Sequence, residues 1–491
     1  MPYKTPLEWY IQSQTLYIVT RIVMRYFYLL LLLICCTDAM GQTTRRLPSK
    51  YYQSQDLSPL VNVLRIVIEG NKVTRTSVIL RELTIHEGDK VAFDSTDFIK
   101  EANKLRLLNL QLFNEVIQHV ERRDNDIIWH IELKERWYYI PTAILQFADR
   151  NLNTWWVKQN HDLRRASAGF TLTDKNFRGN LETLAVTLEA GYTQKLGINY
   201  TRPYVNNNQT SGLGLSASIT QSRQTYFNTD SDRLVYVGVY TGPVIFRQLD
   251  AGISYLYRPA YKSRHIVQAM YRDYHVGDTV VKLNNDFFSK ASTNAQLLEL
   301  SYRFEYNGVD NWSYSLKGVK VVSNAVARMG LIGIQSQFYE QLEAGIFNKI
   351  TNKLYSSVVF RGRLSSANIP YFFRGGLGTN TDYVRGYEYY VTDGDHYGLL
   401  RLDLKREIFK TTWHFPIKYF TAMPLHIYPK VFADAGYINN PARWHTTTGN
   451  RLMYSYGAGI DIVTFYDVKL RLEMTQNDLG QTGLFIHFNS E

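Results

Sequence analysis

From residue 137 to the C-terminus, the chain alternates apolar and polar residues in one short run after another. In 298–306, Leu298, Leu300, Tyr302, Phe304 and Tyr306 interleave with Glu299, Ser301, Arg303 and Glu305. In 400–405, Leu400, Leu402 and Leu404 interleave with Arg401, Asp403 and Lys405. Val468, Leu470, Leu472 and Met474 repeat the pattern around Lys469, Arg471 and Glu473, and Leu484, Ile486 and Phe488 share one face. A period of two sends successive side chains to opposite faces of a strand, so each run has one apolar face and one wet face. Asn, Asp, Gly and Ser separate the runs, as strand connections require. No segment after the leader has the long apolar run of a membrane helix. If such a chain crosses a membrane it must do so as a closed barrel, because an open sheet edge would leave main-chain groups unpaired in lipid.

A soluble sandwich shows the same alternation. Residues 137–491 are long for one sandwich, however, and their polar faces are heavily charged, as the wall of a wet lumen is. At roughly 20–25 residues per strand with its share of loop, the region holds about 14–18 strands. The 37 tyrosines, spread throughout, suit aromatic girdles at two lipid–water interfaces. The expected fold is mainly β, a transmembrane antiparallel β-barrel. The net charge of +11 includes no basic run and is distributed over strand faces, which argues against nucleic acid.

The leader supports this placement. Met24 and Arg25 precede an apolar run, 26–36 (YFYLLLLLICC), and Ala39-Met40-Gly41 offers small residues for cleavage before Gln42. That is a secretory signal peptide, too short to span a bilayer. Residues 1–23 read as an upstream extension, leaving Met1 and Met24 as alternative starts. A lipoprotein site is the runner-up, and Ile34 before Cys35 is not the small residue it needs. Cys35 and Cys36 are the only cysteines, so the segment after residue 41 has no disulfide and no thiolate metal site. The chain divides into a leader (1–41), a polar linker (42–60), a small mixed domain (61–136) and the β-region (137–491).

The mixed domain reads as a strand at 61–69 (VNVLRIVIE), helices at 74–83 and 95–110, and a hairpin of 113–121 with 126–134. Its order is β-α-α-β-β. Within the β-region, 371–387 (YFFRGGLGTNTDYVRGY) interrupts two alternating segments. Its glycines permit backbone angles that other residues resist. Arg385, beside Gly386, reads either as a solvated loop charge or as a fork presented to a carboxylate. The Gly375-Gly376-x-Gly378 cluster lies between strands and lacks the context of a phosphate loop, and no G-x-x-x-x-G-K-[ST] motif occurs. Asp393-Gly394-Asp395-His396 suggests an enzyme only until a nucleophile, a base and an orienting group are sought, and none is found. No cofactor is expected.

These features resemble the BamA/TamA superfamily. The unit at 61–136 resembles a POTRA domain, the periplasmic polypeptide-binding module of that superfamily. The stretch 169–191 (GFTLTDKNFRGNLETLAVTLEAG) resembles the early barrel, with Asp174, Asn176 and Gly179 on its D-x-N-x-x-G pattern, followed by Arg202-Pro203-Tyr204. Val384-Arg385-Gly386-Tyr387 matches the signature of the loop that folds into the lumen. Residues 431–436 (VFADAG), with Phe432, Asp434 and Gly436, resemble the strand that faces that loop. The resemblance implies a barrel of 16 strands behind one POTRA domain. It implies that Arg385 pairs with Asp434, with Asp403 as a second acceptor, that Gly386 lets the chain turn, and that Tyr387 packs on the barrel wall. Desolvating a buried Arg–carboxylate pair is costly, so the pair would fix a loop conformation rather than add net stability.

The function implied is that of a bacterial outer-membrane protein with its POTRA domain in the periplasm. It would insert or translocate client polypeptides and would not be an enzyme. The POTRA domain would capture a client by strand addition at an open edge, either 61–69 or 113–121. The implied partners are unfolded outer-membrane or secreted polypeptides, membrane lipid, and periplasmic chaperones or accessory proteins, with no nucleic acid. The alternative is a dedicated two-partner-type secretion pore, then a plain porin or an outer-membrane enzyme. A single POTRA domain, and a C-terminus at Phe488-Asn489-Ser490-Glu491 rather than on an aromatic, point to a specialised paralogue.

Overall fold

The structure is a computed structural model. It describes residues 59–147, 161–206, 208–239, 242–366, 368–378, 382–417, 420–440, 446–464 and 469–489. The leader and nearly all of the linker lie outside these residues, as do Ser490 and Glu491.

The N-terminal domain runs β1 (Leu60–Glu69), α1 (Thr76–Glu82), β2 (Lys90–Ala92), α2 (Thr96–Asn109), β3 (Phe113–Arg123) and β4 (Asp126–Glu135). Its sheet order is β2-β1-β4-β3, with β1 parallel and β3 antiparallel to β4. Parallel pairing of β1 with β4 needs a crossover, and α1 and α2 supply it. Ile99, Asn103 and Leu107, spaced four apart, form the buried stripe of α2. They meet a core that includes Ile79, Phe113 and Trp129, all fully buried. The structure adds β2 to the expected β-α-α-β-β order, because three residues are too few to show alternation. It also orders the candidate open edges. β1 is flanked by β4 on one side and by the three-residue β2 on the other, which covers only part of 61–69, whereas β3 is paired on one side alone along its whole length.

The β-region closes into a barrel. Its strands are β5 (Tyr139–Phe147), β6 (Ala166–Phe177), β7 (Glu182–Gly191), β8 (Thr193–Arg202) and β9 (Ser211–Ser222). A hairpin of β10 (Gln224–Asp230) with β11 (Arg233–Gly238) stands outside the barrel ladder. β12 (Phe246–Tyr257), β13 (Ser263–Val276), helix α3 (Asp278–Leu283), β14 (Asn294–Val309), β15 (Gly318–Ile332), β16 (Gln337–Lys349) and β17 (Leu354–Ser365) follow. After a long inserted loop that carries β18 (Gly375–Leu377) and β19 (Thr392–Gly394), the ladder resumes with β20 (His396–Arg406), β21 (Phe409–Ile417), β22 (Phe420–Asn439), β23 (Leu452–Val463), β24 (Lys469–Asn477) and β25 (Thr482–Asn489). Among the described residues the barrel contains seventeen segments. β20 and β21 lie end to end along β22, pairing with 430–439 and 420–427 respectively, so the segments occupy sixteen positions.

The register places the alternation as expected for a lipid-facing wall. Glu473 is 1% exposed, whereas its neighbour Met474 is 62% exposed. Leu400, Leu402 and Leu404 face outward beside inward-facing Arg401, Asp403 and Lys405. This inverts a soluble protein, and apolar surface of this extent needs lipid to cover it. An apolar cluster forms at the end remote from the N-terminal domain. Phe287 and Phe288, just after α3, pack with Tyr371, Phe372 and Phe373 of the inserted loop and with Tyr274 of β13.

Candidate functional site

The inserted loop leaves β17 and returns at β20 through the two-stranded pairing of β18 with β19. Two of the clustered glycines, Gly375 and Gly376, therefore belong to a short strand. Between these strands the chain descends into the lumen. Val384 is buried against Gly436 on β22, where an added Cβ would lie 2.5 Å from Val384 Cγ2. That close approach requires glycine at 436. Gly386 has φ +89°, which L side chains resist, and this turns the chain back out of the lumen.

Arg385, 5% exposed, sits between carboxylates from three strands. Its Nε donates to Asp434 Oδ2 at 2.9 Å and its Nη2 to Asp434 Oδ1 at 2.5 Å, a bidentate fork. Its backbone N–H donates to the same Oδ2 at 3.1 Å. Nη1 donates to Asp403 Oδ1 on β20 at 2.7 Å and to Glu473 Oε1 on β24 at 3.5 Å. The guanidinium lies 3.9 Å from the centroid of the Phe432 ring. Tyr387 packs in a cluster with Leu377, Leu399, Ile438 and Met453, and its hydroxyl donates to Asp478. The structure thus brings together Val384, Arg385, Gly386, Tyr387, Asp403, Phe432, Asp434 and Gly436.

Several partners were not singled out in the sequence. Lys430 on β22 bridges Glu473, at 2.5 Å, and Asp461 of β23, at 2.6 Å. Arg401 donates to the Tyr383 carbonyl at 2.5 Å and lies 3.6 Å from Asp434 Oδ2. Asn477 donates to the Gly386 carbonyl at 2.9 Å. The period of two assigns these residues to the lumen face. Pairing them requires the register between strands, which no local pattern records.

Asp174, Asn176 and Gly179 lie elsewhere, at the end of the barrel that meets the N-terminal domain. Asn176 Nδ2 donates to Thr74 Oγ1 at 2.9 Å, and its Oδ1 accepts from the Leu181 N–H at 2.9 Å. Asp174 Oδ1 accepts from the Asn176 N–H at 3.0 Å. The Gly179 carbonyl accepts from the Arg75 N–H at 2.9 Å, and an added Cβ at Gly179 would lie 2.1 Å from the Val73 carbonyl oxygen. Tyr138 meets Thr74 Oγ1 at 2.9 Å, completing a buried hydroxyl network. Asp393 and Gly394 belong to β19, and His396 Nδ1 accepts from the Ser365 N–H at 3.1 Å. Among the described residues no group of three or more His, Cys, Asp or Glu side chains is placed to hold a metal ion.

Residues 61–136 match the POTRA family, described as surface antigen variable number repeat. In fold the chain is similar to BamA from Haemophilus ducreyi lacking POTRA domains 1–3, with a TM-score of 0.51 and 14% identity, over 87% of this chain and 83% of that one. It is similar also to CdiB from Escherichia coli, with a TM-score of 0.55 and 10% identity, over 87% and 75% of the two chains. No curated protein matches the sequence.

Proposed function

We propose that this chain, a POTRA-plus-barrel protein of the BamA/TamA superfamily, passes client polypeptides into or across a bacterial outer membrane. The observation that carries this reading is the open edge of β3 on a POTRA domain that is hydrogen-bonded to the end of the barrel. An edge strand presents unpaired N–H and C=O groups that another extended chain satisfies without regard to its sequence. The POTRA domain would stand in the periplasm and capture the client there. Chaperones or accessory proteins would deliver it. The barrel would give it a path through the membrane, with no catalytic residue and no cofactor.

In this reading Arg385 acts as a lock. It ties the inserted loop to Asp434, Asp403 and Glu473 and so holds the loop across the lumen. Releasing the loop would open the interior.

The test is depletion of the protein followed by quantitative proteomics of outer-membrane fractions. Loss of many barrel proteins identifies a general insertase. Loss of one or a few surface proteins identifies a dedicated secretion pore. An unchanged outer membrane sinks the client-handling reading.

A further inference from the structure

The barrel provides a strand edge of its own near that of β3. β17 accompanies β20 only to Leu354↔Arg406, and β23 accompanies β22 only to Val463↔His426. Past these limits β21 and β22 pair only with each other, from Phe409↔Ile427 to Ile417↔Phe420. Among the described residues, neither flank of this hairpin carries a further strand. It projects beyond the barrel rim at the end where the POTRA domain is attached. Exposed edges are normally blunted by Lys or Pro. Here Lys410 stands at the barrel side and Pro416 near the tip, leaving Thr411, Thr412 and Trp413 open between them.

Residues of β3 and of the hairpin line one cavity of about 2020 Å³. Asn114 and Glu115 of β3 line it on one side, and Thr412 and Pro424 of the hairpin on another. Trp137 and Trp312 contribute aromatic wall. The volume is at least twice the roughly 300–1,000 Å³ that encloses a small ligand, so it has room for a polypeptide segment. β3 and the hairpin each carry a strand edge with no further partner among the described residues, which suits one occupant above others, an extended polypeptide, and the aromatic wall accepts side chains of mixed character.

We propose that the projecting β21–β22 hairpin is a second docking edge for extended polypeptide, receiving a client segment held at β3 across their shared cavity. This rests on the client-handling reading above. It adds a barrel-borne contact between POTRA capture and entry to the lumen.

The experiment uses the full chain in detergent, with Cys35 and Cys36, its only cysteines, replaced by serine. Single cysteines are introduced by Asn114→Cys, by Thr412→Cys and, as a lipid-facing control, by Leu342→Cys. Each is labelled with a photo-crosslinker. The probe is a synthetic peptide of residues 482–489 (TGLFIHFN), which forms β25 in the chain itself. Heat-modifiable gel migration verifies that each variant is folded. The expected result is crosslinking at 114 and at 412, each severalfold above 342 and suppressed by excess unlabelled peptide. Crosslinking at 114 alone overturns the hairpin proposal and leaves POTRA capture standing. Crosslinking at 412 alone supports the hairpin and counts against capture at β3. Equal yield at all three positions, or none at any, overturns both.

Discussion

Arg385 joins the lumen loop to three barrel strands through charge and shape together. Truncating one partner of a buried ion pair costs about 3–5 kcal/mol, because the other charges are left uncompensated. Arg385→Ala strands Asp434, Asp403 and Glu473, and the loop escapes the penalty by leaving the lumen. Hydrogen exchange over 382–391 is therefore expected to accelerate strongly while the barrel stays folded. Exchange as slow as in the wild type would show that the lock is not held by this residue. Arg385→Lys should recover little, since an ammonium cannot form the two-pronged contact with Asp434. The glycines act by space. Gly436→Ala puts a Cβ 2.5 Å from Val384 Cγ2, so it should loosen the loop, and Val384→Ala added to it should restore protection. If the double variant is as loose as Gly436→Ala, the contact is not what requires glycine. The stretch 384–387 was legible in the sequence as a glycine-bearing loop with one cation, either solvated or facing a carboxylate, and only the resemblance named Asp434 and Asp403 as its acceptors. Its third acceptor, Glu473, was not, because it arrives from a strand 88 residues away.

At the scale of elements, the turn between β6 and β7 is a joint. It offers the POTRA domain an amide at Asn176 and a carbonyl at Gly179, both met by the segment at 73–75. Losing a buried hydrogen-bond partner costs about 1–3 kcal/mol. Asn176→Ala should thus raise exchange at 73–76 and in the 176–181 turn together, with barrel strands unaffected. A change confined to the turn would mean that the POTRA domain is held by its other contacts, such as Arg258 with Glu82 at 3.1 Å. The D-x-N-x-x-G spacing was readable as a motif. That its amide serves a hydroxyl 102 residues away was not, because a turn pattern specifies local geometry and not what packs on it.

At the scale of the molecule, two elements stand in the way of an open pore. The aromatic cluster around Phe287, Phe288 and Phe372 lies at the far end, and the loop bound through Arg385 enters the interior. Reconstituted in a planar bilayer, the wild type should conduct far less than an open barrel of sixteen strand positions, and deletion of residues 371–391 should raise conductance sharply. A large steady conductance in the wild type would favour the porin reading. The period-two runs gave the strands and their two faces. The length of the region, its charged polar faces and the resemblance of its motifs, rather than alternation alone, pointed to a transmembrane barrel behind a small α/β domain, the closed form that lipid requires of strands. Mainly tertiary structure decided the rest: which strand of the domain is an edge, which carboxylates surround Arg385, and how far β21 and β22 outrun their neighbours. Each of these is a matter of register and relative position. Alternation tells a residue which face it occupies, but only the closed ladder tells it whom it meets.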